Sequence, residues 1–150
     1  MHCLNCFKEI SNGKKYCNNL CQKEFEYNVY SIRWKLQVEN GLKGKYQISN
    51  HIRRYLYHKY GNKCCLCGWD KINPYTGMSP LEIEHIDGNY LNNNEENLML
   101  LCPNCHSLTP TYKGANIGNG RKDRKQYNLY GNPELGFKPS VETLYDGPKS

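Results

Sequence analysis

Two different hydrophobic periods run through this chain, and each predicts its own kind of element. Phe25, Val29, Ile32 and Leu36 recur at intervals of four, three and four residues, which places them on one face of a helix. Asn40-Gly41 is a C-terminal signal, so this helix is expected to stop there. The stretch Gly41-Leu42-Lys43-Gly44-Lys45 reads as a loop. Ser49 can cap a second helix, in which Ile52, Tyr55, Leu56, Lys59 and Tyr60 fill about three turns. Further on the period shortens to two. Leu81-Glu82-Ile83-Glu84-His85-Ile86 alternates apolar and polar residues, which predicts a strand ending at His85 with Glu82 and Glu84 on one face. Asp87-Gly88-Asn89 and Asn92-Asn93-Asn94 supply a turn and a polar loop, and Leu98-Met99-Leu100-Leu101 is a returning strand. In Cys102-Pro103-Asn104-Cys105-His106 the proline suits the first turn of a helix. The segment therefore reads strand, loop, strand, helix.

These elements are poor in aliphatic residues. The chain has 150 residues, a hydrophobic share of 38% and a mean hydropathy of −0.84, so its core needs help from the 13 tyrosines and from covalent or metal staples. The length suits one modest domain or two small ones. No apolar run approaches the ~20 residues that span a bilayer. The opening Met1-His2-Cys3-Leu4-Asn5-Cys6 carries no apolar stretch, so a secretory signal is not expected and the cytoplasm is the expected compartment. Without export, nine cysteines point to metal ligation rather than disulfides.

The cysteines form two sets. Cys3, Cys6, Cys17 and Cys21 read as CxxC followed by CxxxC, and Cys64, Cys67, Cys102 and Cys105 as two CxxC pairs. Two close pairs per site fit a tetrahedral, all-thiolate zinc, because each pair can sit on one tight turn. Cys64 keeps the two-residue gap of a zinc knuckle, which leaves Cys65 as a bystander. Two structural zinc ions are thus expected.

Charge is uneven along the chain. Residues 1–62 carry 11 Lys+Arg and 4 acids, residues 63–110 carry 2 and 6, and residues 111–150 carry 7 and 4, which gives +7, −4 and +3. A metal-binding centre between two phosphate-attracting flanks fits that layout better than a uniformly basic surface does. Eight zinc-bound thiolates with two zinc ions would lower the formal +6 to +2, so net charge alone says little. Arg53 and Arg54 lie away from the Ile52/Leu56 face and read equally well as phosphate contacts or as solvated helix surface. Lys113, Arg121, Lys122, Arg124 and Lys125 follow the last predicted helix among glycines, a setting from which basic residues can track a phosphate backbone. Residues 131–150, with three Gly and three Pro, read as an extended arm or tail.

Glu84, His85 and His106 remain once the cysteines are assigned. Consecutive helical residues point about 100° apart, so Cys105 can face a zinc while His106 faces another site. A carboxylate and an imidazole with open positions suit a divalent ion that must also hold a phosphate oxygen. A second imidazole beside them, not ligated, can act as a general base. Glu82 could replace Glu84 as the ligand or stand behind it, and Asp87 reads chiefly as a turn residue.

The run EHIDGNYLNNNEENLMLLCPNCHSLTPTYKG, preceded by CCLCG, resembles the HNH endonuclease family, over roughly residues 49–125. The resemblance implies an α+β architecture: a small zinc-stabilised ββα-metal, treble-clef-like nuclease domain (49–130) preceded by a helix and linker (26–48) and an N-terminal zinc module (1–25). It implies that His85 is the base that activates water, that Asn97 holds the loop and so orients that base, and that His106 ligates a catalytic divalent ion, Mg²⁺ or Mn²⁺. Glu84 falls where the family usually has Asp as the other ligand, a departure of one methylene. The implied reaction is in-line hydrolysis of a DNA phosphodiester to 5′-phosphate and 3′-hydroxyl ends, by a monomer or a homodimer. The first cysteine set is similar to small zinc modules at the N-termini of some phage and bacterial proteins, which makes a bacterial or phage-infected cytoplasm the implied setting. A zinc-stabilised DNA-binding module without catalysis is the alternative reading, with a zinc-scaffolded protein-interaction module behind it.

Overall fold

The computed structural model describes residues 1–113 of the chain. Its elements run α1 (Asn19–Lys35), β1 (Leu42–Lys43), β2 (Gln47–Ile48), α2 (Asn50–Lys59), β3 (Glu82–His85), a 3₁₀ turn (Glu95–Asn97), β4 (Leu98–Leu101) and α3 (Pro103–Ser107). The strand, loop, strand, helix order is present as the sequence pattern predicts. β3 and β4 are antiparallel, with Glu82 opposite Leu101, Glu84 opposite Met99 and His85 opposite Leu98. α3 begins with Pro103 in its first turn, and the Cys102 sulfur accepts from the Cys105 amide. A small α+β domain results.

α1 corrects one expectation. It ends at Lys35, well short of Asn40-Gly41, because Gln37 takes a left-handed conformation (φ 59°) and the Gln37 and Val38 amides close back on the carbonyls of Trp34 and Arg33. Its apolar stripe faces solvent, with Ile32 60% and Leu36 70% exposed. Burial instead runs through Trp34, with Tyr30 partly buried beside it. These two lie four residues apart on another face, and aromatic rings cover more of α2 than the smaller aliphatics would. The expected loop after Gly41 is in fact a minimal hairpin, with Leu42 paired to Ile48 and Lys43 to Gln47, too short to leave a period in the sequence.

α2 follows the sequence closely. The Ser49 hydroxyl accepts from the His51 amide at 3.2 Å, and Ile52 and Leu56 are fully buried. They pack with Trp34 and Leu98 in one cluster, while Leu81, Leu100 and Leu101 form a second with Cys64 and Cys102. Burying each of these aliphatic chains contributes about 1.5–3 kcal/mol. Tyr57 and Tyr60 complete the second cluster, and the Tyr57 hydroxyl donates to the Leu81 carbonyl at 2.8 Å. Among the described residues no helix is long and apolar enough to cross a membrane.

Candidate active site and its cysteine scaffolds

Both cysteine sets assemble in space. The sulfur atoms of Cys3, Cys6, Cys17 and Cys21 lie within 4.8 Å of one another, and so do those of Cys64, Cys67, Cys102 and Cys105. The individual separations include 3.7 Å for Cys6–Cys17, 3.3 Å for Cys17–Cys21 and 3.7 Å for Cys67–Cys102. A tetrahedral zinc with bonds of about 2.3 Å has sulfur–sulfur edges near 3.8 Å, so either set fits the ion. The two leading CxxC pairs also share one backbone geometry. Phe7 donates to the Cys3 carbonyl and Gly68 to the Cys64 carbonyl, both at 2.9 Å, and both residues have positive φ. Cys65 stands outside its set, with its amide on the Leu100 carbonyl at 2.9 Å.

Proton affinities within the sets are split as crowded thiols require. Burial works to raise the Cys64 thiol, but backbone donors at Cys102, Cys67 and Leu66 outweigh it and bring it down to about 6. Cys3 is lowered to about 6 in the same way. Hydrogen bonding among neighbouring thiols pushes Cys17 and Cys105 up to about 12. One thiolate in each set forms readily, while Cys17 and Cys105 hold their protons until a cation displaces them.

The second set anchors β4 to α3 and so brings His106 against β3. His106 Nδ1 lies 2.7 Å from Glu84 Oε2, and His106 Nε2 lies 3.2 Å from Glu82 Oε2. Glu84 is buried, and its other oxygen accepts from the Thr111 hydroxyl at 2.5 Å. Tyr112 packs edge-on against the His106 ring, 5.2 Å between centroids. Despite its closeness to Glu84, the buried Nδ1 makes no hydrogen bond. A buried carboxylate oxygen and a ring nitrogen this close, with no hydrogen bond joining them, are groups of the kind that ligate a divalent cation.

His85 ends β3, and its surroundings are different. Its Nε2 lies 2.7 Å from Asn93 Oδ1. Asn97 makes its side-chain hydrogen bonds elsewhere. Its Nδ2 donates to Asp87 Oδ1 at 2.9 Å and to the Asn92 carbonyl at 2.8 Å, and its Oδ1 accepts from the Asp87 amide at 3.1 Å. Asn97 therefore ties the two ends of the loop together, one step removed from His85. Asp87 is more than a turn residue. Burial would raise its carboxyl, but donors from Asn92, Asn89 and Asn97 hold it below the usual carboxylate range. Asn93 and Thr111 carry contacts that no motif announced: Asn93 is one of many asparagines in the loop, and Thr111 lies beyond the last predicted helix.

The basic residues divide. Arg53 and Arg54 are both exposed, but Arg54 is engaged by Glu24 at 2.6 Å and lies over the Tyr27 ring. Lys113 is exposed beside Tyr112, its ammonium 5.0 Å from that ring. Arg121, Lys122, Arg124 and Lys125 lie outside the described residues.

Comparison with known proteins adds one relationship. Over 57 residues, 38% of its length, the chain is 69% identical to the H-N-H endonuclease F-TflIV of Escherichia phage T5. Over those 57 residues the chain is a homologue of that endonuclease. It spans about a quarter (24%) of that relative's length. No family model matches the chain, and no solved structure matches it.

Proposed function

We propose that this chain is a metal-dependent DNA endonuclease of the HNH type, with Glu84 and His106 as ligands of a divalent ion, Mg²⁺ or Mn²⁺, and His85 as the general base. The observation that carries the proposal is the buried pair Glu84 Oε2 and His106 Nδ1, 2.7 Å apart without a hydrogen bond, on a strand, strand, helix scaffold. Kinship with a phage H-N-H endonuclease supports the same reading. When bound, the ion supplies charge stabilisation to a phosphate oxygen and to the departing 3′-oxygen.

The protein's own groups supply the rest. The Thr111 hydroxyl holds one Glu84 oxygen and leaves the other directed at His106. Glu82, facing Nε2 of the same ring, favours a proton on that nitrogen and leaves Nδ1 as the ligand atom. His85 takes a proton from water, the resulting hydroxide attacks phosphorus in line, and the bond to the 3′-oxygen breaks. Arg53, Lys113 and the four basic residues 121, 122, 124 and 125 are assigned, on this reading, the phosphate contacts that orient the strand. Arg54 enters that set only by leaving Glu24. The two cysteine sets hold structural zinc.

Zinc-loaded protein with supercoiled plasmid and Mg²⁺ or Mn²⁺ tests the proposal. Nicked or linear DNA from wild type, and at least a 100-fold slower reaction for His85→Ala, is expected, since general acid–base groups contribute about 10²–10⁴ in rate. Salt-dependent DNA binding without cleavage across both metals would replace the nuclease by a DNA-binding module.

A further inference from the structure

Asn93 is buried, with 4% of its surface exposed, and it is fixed from several directions. Its carbonyl accepts from Trp34 Nε1 at 2.6 Å, its Nδ2 donates to the Asn40 carbonyl at 3.0 Å, and its Oδ1 faces His85 Nε2 at 2.7 Å. Gly41 closes the remaining side. A Cβ there would stand 2.7 Å from both Asn93 Cβ and Ile52 Cδ1, and its φ of +77° is one that side chains other than glycine rarely adopt.

This arrangement decides protonation by elimination. The Asn40 carbonyl can only accept, so the NH₂ of Asn93 must face it and Oδ1 is left for His85. Oδ1 can only accept in turn, so the His85 proton sits on Nε2. A neutral imidazole carries one ring proton, and Nδ1 is therefore bare.

We infer that Asn93 is the positioning residue that fixes the tautomer and orientation of His85, so that Nδ1 is the atom that takes the proton from water, and that Trp34 and Asn40 lock Asn93 in this role. The inference rests on the nuclease reading for the use made of Nδ1, though not for the tautomer itself. In the step, the water O–H bond breaks and its proton passes to Nδ1, while Nε2–H stays on Asn93 Oδ1. The hydroxide pair forms the new bond to phosphorus, and the 3′-oxygen leaves with the pair of the broken bond and is protonated from solvent. Trp34 and Asn40 lie before the strand, strand, helix unit, so the segment of α1 and its following turn completes the site rather than merely preceding it.

The test is long-range ¹H–¹⁵N NMR on ¹⁵N-histidine-labelled, zinc-loaded full chain, at a pH about 1.5 units above the ordinary imidazole value near 6.5. His85 is identified by the signal lost in His85→Gln. Wild type is expected to show a protonated Nε2 and a pyridine-like Nδ1. Asn93→Ala is expected to mix the tautomers and to lower kcat on plasmid at least tenfold, with KM changed less than twofold. Trp34→Phe, which keeps a buried ring and removes the donor, is expected to shift both readouts in the same direction by a smaller amount. A protonated Nδ1 in wild type, or an unchanged tautomer and kcat in Asn93→Ala, would overturn the inference. The wild-type spectrum needs no variant to fold. Absence of cleavage by wild type would count against the nuclease reading alone, because the spectrum still decides whether Asn93 sets the tautomer.

Discussion

Glu84 and His106 meet carboxylate to imidazole at 2.7 Å, buried, with no proton aligned between them. On the proposed reading they are two ligands of one ion, and Glu82 stands on the far side of the same ring at 3.2 Å. A carboxylate that holds the second nitrogen of a ligating histidine sets its tautomer and raises its basicity, and loss of such a group typically costs 10–100-fold in metal affinity. Glu82→Gln is therefore expected to weaken Mn²⁺ binding by about 10–100-fold, as read by calorimetric titration into zinc-loaded protein. Unchanged affinity would place Glu82 outside the site's function.

Zinc content separates the ligand cysteines from Cys65. Wild type and Cys65→Ser are expected to hold two zinc ions per chain and Cys102→Ser one, measured by metal analysis after gel filtration. Structural zinc supplies about 10–16 kcal/mol, as much as the whole stability of a small domain at about 5–15 kcal/mol. Strong chelation should therefore abolish the helical circular dichroism signal. Full zinc loading of Cys102→Ser would contradict the assignment.

Glu95 gives a pH dependence with a definite sign. Burial would raise its carboxyl, but the Tyr55 hydroxyl and the Lys59 ammonium hold it below the usual carboxylate range. A carboxyl depressed by folding stabilises above its unfolded value, about 4.3, and that stabilisation fades as pH falls through the folded value. In urea unfolding, wild type should exceed Glu95→Gln at pH 7, with the gap closing as pH drops below about 4.3. Only pH values at which metal analysis finds both proteins still zinc-loaded enter the comparison, because loss of zinc would unfold them. A gap that widens on acidification would reverse the assignment.

The two faces of α1 should respond oppositely to substitution. Ile32→Gln and Leu36→Gln, on the exposed stripe, are expected to change stability by no more than about 0.5 kcal/mol. Trp34→Ala removes a buried ring and the donor to Asn93, and is expected to cost about 3–5 kcal/mol. Denaturant midpoints with metal content held constant decide between them.

α1 also marks where the sequence stopped being readable. Strands β3 and β4, helix α2 with its Ser49 cap and the proline-led start of α3 were legible because each rests on local period or local capping. So was the grouping of the cysteines, since paired spacing is a local property as well. The buried face of α1 was not legible. A four-three-four aliphatic stripe and an aromatic pair compete on one helix, and only the shape of α2 and the acceptor at Asn93 choose the aromatics. The partner of His85 was hidden for the same reason. In an asparagine-rich loop every position can form turns, and Asn93 is singled out by Trp34 and Asn40, more than fifty positions away in sequence. Asn97, which the motif singles out, holds the loop through Asp87 and Asn92.

Mn²⁺ binding and plasmid cleavage, measured on the same zinc-loaded preparations of wild type, Glu84→Gln, His106→Ala and His85→Ala, test the division of labour in this site most directly. His85→Ala is expected to bind Mn²⁺ like wild type and fail to cut, while Glu84→Gln and His106→Ala lose both the ion and the activity. Wild-type Mn²⁺ affinity in both Glu84→Gln and His106→Ala would contradict the assignment of these two residues as the ligands.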